Sequence, residues 1–83
     1  MEDVFEQLVD IIAGLNLEGL ELEDVTNKSK LVGDIGLTSL SMIMVAYEIE
    51  TFYEIRFEND VLERMITVGD TVELIQSYKE KAV

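Results

Sequence analysis

Apolar residues recur at helical spacing at the start of the chain. Phe5, Leu8, Val9 and Ile12 fall on one arc, and Leu15 continues the stripe. Glu2, Asp3, Glu6, Gln7 and Asp10 fill the opposite arc. The pattern predicts a helix over residues 2–14, ended by Gly14 and Asn16. The period then fails. Across residues 16–38, Leu17, Leu20, Leu22, Val25, Leu31 and Ile35 are scattered, and Gly19, Gly33 and Gly36 interrupt. This stretch reads as a long loop pinned to the core by apolar anchors, with a single helical turn placed within Asp24–Lys28. So long a loop in so small a domain is unusual and often functional.

Periodicity returns over residues 39–53, the second predicted helix. A short third helix is predicted over 59–65, capped by Asn59 or Asp60, with Glu63 three residues after Asp60. The last helix is predicted over 68–80, with Val68, Val72, Ile75 and Tyr78 on its inner face. Thr67 and Asp70 before it have the spacing of a capping box, with Asp in place of Glu or Gln. The β-branched and aromatic stretch TFYEIRF (51–57) has strand character. A lone strand would have no partner, so it is assigned to the end of the second helix and a loop. Proline is absent, so nothing forbids long helices. Residues 1–83 thus predict one all-α domain. Its architecture is a small four-helix bundle, three main helices plus a short third, with a long loop between the first and second.

The second helix has more apolar surface than one core requires. On a helical wheel, Phe52, Val45, Ile49, Met42, Tyr53 and Ala46 span about 120°, enough to face a core. A second arc of about 100° holds Ile43, Tyr47, Leu40 and Met44. Ser41 and Glu48 separate the arcs on one side and Glu50 on the other. Either neighbouring loops cover the second arc, or it is an exposed docking surface rimmed by acids.

Charge and composition narrow the function. Eighteen acidic residues against 6 basic ones give a formal net charge of −12. Such a chain repels phosphate backbones, which argues against nucleic acid, and attracts basic patches on protein partners. No apolar run approaches the length of a membrane span. The opening MEDVFEQL lacks the basic start and apolar run of a signal peptide, so the expected compartment is the cytoplasm. A monomer is expected. There is no cysteine and no histidine, which removes thiolate and imidazole catalysis and the commonest metal ligands. Asp34, Glu48 and Glu50 read as charged surface rather than a catalytic pair, and no calcium-loop pattern is present, so no metal is expected. Ser39 opens the second helix just after a glycine-containing loop. It suits an N-cap, or a neighbour of an N-cap at Thr38. The plain cap is the reading residue type alone favours; a modified serine also fits, because a phosphate is stabilised by the amides and dipole of a helix N-terminus.

The run GDIGLTSLSMIMVAYEIE (33–50) resembles the phosphopantetheine attachment segment of acyl carrier proteins. The matching positions are Asp34, Ile35, Gly36, then Leu37 and Thr38, then Ser39 and Leu40. LELEDVTNKSKLVGDIG (20–36) is similar to the family's loop before the serine, and YEIRFENDVLERMITVGDTVELI (53–75) to its third and fourth helices. The resemblance covers nearly the whole chain. It implies that Ser39 carries 4′-phosphopantetheine, donated by coenzyme A through a phosphopantetheinyl transferase. It further implies acyl thioester cargo presented to acyl-transferring and condensing enzymes with basic patches, in fatty acid or related polyketide and specialised lipid biosynthesis. The chain itself would catalyse nothing. The second helix would be the recognition element, with Leu40, Ile43, Met44 and Tyr47 as apolar centre and Glu48 and Glu50 as acidic flank. Asp34 and Thr38, upstream of the serine, would belong to the same recognition surface. The family usually has Asp where Thr38 stands and often acids where Ser41 and Met44 stand. Thr38 is expected to cap the helix in place of that Asp. The alternative is an acidic, non-catalytic adaptor that docks through the second helix.

Overall fold

The computed structural model describes residues 3–81; Glu2, assigned above to the first helix, lies outside them. The helices are α1 (Val4–Gly14), α2 (Ser39–Tyr53), α3 (Val61–Arg64) and α4 (Val68–Lys81), with no strand longer than an isolated bridge among the described residues. α1 packs against α2 and α4, and α3 closes on α2. Asp3 stands outside α1 as its N-cap and accepts from the Phe5 amide at 2.9 Å. Val4, Leu8 and Ile12 form its buried line, with Phe5, Val9 and Leu15 half-buried beside it. α1 ends at Gly14, and Asn16 takes the left-handed conformation after it.

α2 matches its predicted bounds. Met42, Val45, Ala46 and Ile49 are buried, and Tyr53 is half-buried. Phe52 departs from expectation: it is 53% exposed. It sits at the edge of the core arc, and the helix stops one residue later at Tyr53. Its ring therefore leans edge-on against Tyr53, with centroids 4.8 Å apart. Tyr53 gathers three helices: its hydroxyl donates to Gln7 Oε1 on α1 at 2.6 Å, and Lys79 of α4 lies over its ring.

α3 is shorter than predicted because Asn59 and Asp60 form a turn, and Met65 leaves helical geometry to bury its side chain. The Asp60 side chain makes no capping bond. The α4 capping box is present: Asp70 Oδ2 accepts from the Thr67 amide at 3.1 Å, and Thr67 Oγ1 from the Asp70 amide at 3.0 Å. The inner face of α4 is wider than Val68, Val72, Ile75 and Tyr78, since Leu74 and Thr71 are buried too. Thr71 tolerates burial because its hydroxyl donates to the Thr67 carbonyl at 3.0 Å.

The long connection contains a helical turn, but not where expected. Asp24–Lys28 is a pair of tight turns in which Thr26 and Ser29 side chains accept backbone amides. The turn is π-helical and spans Leu31–Ile35. Gly36 ends it with φ of 98°, the left-handed region that favours glycine. Leu31, Ile35 and Leu37 are fully buried, while Leu17, Leu20, Leu22 and Val25 pack half-buried on the core. Backbone bonds stitch the connection to the start of α4: Leu31 N to Ile66 O, Val68 N to Ser29 O, and Gly69 N to Asn27 O. Glycine at 69 permits that approach, because a Cβ would stand 2.9 Å from the Asn27 carbonyl oxygen.

The charge of −12 is confined to this small body. Repulsion among like charges opposes the compact state and is screened by salt. The melting temperature is expected to rise by several degrees from low to high sodium chloride, followed by circular dichroism; a flat profile contradicts the electrostatic account.

Candidate functional site

The start of α2 is built from two neutral hydroxyls. Thr38 is the N-cap, in extended conformation, and its Oγ1 accepts from the Ser41 amide at 3.1 Å. Ser41 Oγ accepts from the Thr38 amide at 2.6 Å and donates to the Thr38 carbonyl at 3.1 Å. This is a capping box with Ser in the place of Glu or Gln. It explains why Ser41 is buried: it closes the turn instead of facing a partner. The spacing T-x-x-S was the signal for this role. Thr38→Ala should cost about 1 kcal/mol, or roughly 4–8 °C in melting temperature, with Thr38→Ser restoring most of it. A melt unchanged in Thr38→Ala rules out the cap.

Ser39 is the first residue inside the helix and is exposed. The hydrogen bonds of the turn join Thr38 and Ser41, and none of them uses the Ser39 hydroxyl. Beside it lies a groove of about 310 Å³ between the π turn, α2 and the α3 region. Val32, Met42, Leu62, Met65 and Ile66 give it apolar walls, and Lys30 and Gly33 also line it.

The second arc of α2 faces outward. Leu40, Ile43, Met44 and Tyr47 range from 38% exposed at Met44 to 69% at Leu40, so the covering-loop alternative fails. Glu48 is exposed on the same helix, nine residues beyond Ser39 and so about 13 Å along the axis. The first turn of α2 holds no acid. The other two expected acids have structural tasks. Asp34 Oδ2 accepts from the Lys30 amide at 2.8 Å. Glu50 Oε2 accepts from the Phe57 amide at 2.7 Å and so folds the 54–57 segment back on α2. Among the described residues no cluster of three or more histidine, cysteine or acidic side chains could hold a metal ion, and no helix is long and apolar enough to cross a membrane.

Comparison with known proteins gives this arrangement its family. No family model matches the chain. Curated proteins do. The chain is 35% identical to an acyl carrier protein of Desulforapulum autotrophicum over 71 residues, covering 86% of this chain and 92% of that one. It is 32% identical to an acyl carrier protein of Coprothermobacter proteolyticus over 76 residues, covering 92% and 90%. It is also 35% identical to a meromycolate extension acyl carrier protein of Mycolicibacterium aurum over 77 residues, covering 87% and 79%. The chain belongs to the acyl carrier protein family. It is therefore a carrier without catalytic activity of its own.

Proposed function

We propose that this protein carries acyl groups for fatty acid or related lipid biosynthesis on a 4′-phosphopantetheine arm joined to Ser39 through a phosphodiester. The observation that supports the attachment point most is an exposed hydroxyl at the first position of α2 that the helix does not need for its own cap. The residues fit the group. Thr38 and Ser41 hold the turn rigid, the first amides of a helix have no partner within it, and the adjacent groove accommodates an apolar chain. Once attached, the arm supplies the thiol that a cysteine-free chain lacks, and holds the acyl group as a thioester. A phosphopantetheinyl transferase is the partner that installs it from coenzyme A. Acyl-transferring and condensing enzymes then dock on the exposed stripe. Leu40, Ile43, Met44 and Tyr47 supply its apolar centre and Glu48 its exposed charge for a basic patch. Asp34 and Glu50 add charge at the margins while keeping their backbone bonds.

The test is the intact mass after incubation with coenzyme A and a promiscuous phosphopantetheinyl transferase. One covalent adduct is the expected result. No adduct with several transferases overturns the proposal.

A further inference from the structure

Lys28 and Lys30 are the only basic residues in the first 55 positions of the chain. They differ in placement. Lys30 lines the groove beside Ser39, and Lys28 does not. The backbone of Lys30 is held on both sides. Its amide donates to Asp34 Oδ2 at 2.8 Å, and its carbonyl accepts from the Asp34 and Ile35 amides at 3.0 and 2.9 Å. An isolated antiparallel bridge to Thr67 adds a further tie. Its aliphatic stem lies over Gly33, where an added Cβ would meet the Lys30 Cδ and Cβ at 3.5 and 3.6 Å. The Asp34 carboxylate is engaged with the backbone amide, and the Lys30 ammonium makes no ion pair among the described residues. A lysine side chain thus lines a groove whose other side chains are mostly apolar, in a protein of charge −12.

The geometry points to Lys30 as a positioning residue for the phosphodiester on Ser39. This inference rests on the proposed attachment. A phosphodiester adds one negative charge and takes the chain from −12 to −13. The Lys30 ammonium offsets that charge locally and holds the root of the arm over the groove, while Val32, Met42 and Met65 offer apolar contact beyond it. Lys30 tethers the phosphate and takes no part in any acyl transfer.

The experiment compares apo and modified protein for wild type, Lys30→Gln and Lys28→Gln, each checked by intact mass. Both substitutions remove one positive charge, so they separate a local contact from net charge. At low salt, modification is expected to lower the melting temperature of Lys30→Gln by about 2–4 °C more than that of wild type. Lys28→Gln should behave as wild type, and Lys30→Arg should too. The excess should vanish near 1 M salt, where screening acts within about 3 Å. The ³¹P resonance of the phosphodiester should shift in Lys30→Gln and stay in place in Lys28→Gln. Equal effects of the two glutamine variants, or no excess in either, overturn the assignment to Lys30. A wild-type chain that takes no adduct overturns the attachment itself, a different failure that the mass alone reveals.

Discussion

Ser39→Ala is expected to abolish the covalent adduct completely and leave the fold intact. The two halves of that result have separate causes. Other hydroxyls stand near the start of α2, but their roles are fixed. Ser41 is buried and bonded to Thr38 at both its amide and its hydroxyl, and the Thr38 hydroxyl is the cap itself. Only Ser39 presents a hydroxyl at this turn that is exposed and outside the capping bonds. Removing it removes the nucleophile. Alanine is the best helix former and the site is exposed, so stability should change by no more than about 0.5 kcal/mol. Intact mass and a urea titration read the two halves. An adduct that persists places the arm elsewhere, and a variant that unfolds makes Ser39 a structural residue.

Leu31→Ala is expected to be strongly destabilising, costing about 2–5 kcal/mol. Leu31 is fully buried although it lies outside the four α-helices. Its amide bonds the Ile66 carbonyl and its carbonyl receives the Leu37 amide, so the cavity left behind is framed by backbone that cannot easily collapse. A domain of 83 residues has about 4–12 kcal/mol of total stability. The variant should therefore lie near the unfolding threshold. The neighbouring Val32→Ala is the control: Val32 is 57% exposed, and the change should stay within about 0.5 kcal/mol. Urea midpoints measure both. A loss below 1 kcal/mol at Leu31 means that the connection drapes over the core instead of belonging to it.

The helices were readable because their signals are local. Alternation at helical spacing defined α1, α2 and α4, and Thr38 stands where the α2 pattern begins. The second apolar arc of α2 was also visible on the wheel, but its exposure was not, because covering is a matter of tertiary packing. The π turn leaves no mark in the sequence, for a physical reason. A turn of five residues repeats no pattern, and Leu31, Ile35 and Leu37 are buried by contacts with distant elements. The burial of Thr71 is hidden for a similar reason: a hydroxyl satisfied within its own helix looks polar in the sequence and apolar in the core. At the site, Ser39 and the stripe that follows it were legible from the residues and the family resemblance together. Lys30 was not, because only the fold brings residue 30 to the wall of the groove beside residue 39.

The neutral clasp between Thr38 and Ser41 has a consequence for acid tolerance. A carboxylate in the place of Thr38 would weaken its hold on the Ser41 amide once it took up a proton. Hydroxyls have no proton to gain across the ordinary pH range, so the mouth of α2 keeps its shape while the acids elsewhere on the surface are neutralised. The capping bonds that frame residue 39 therefore depend on no carboxylate.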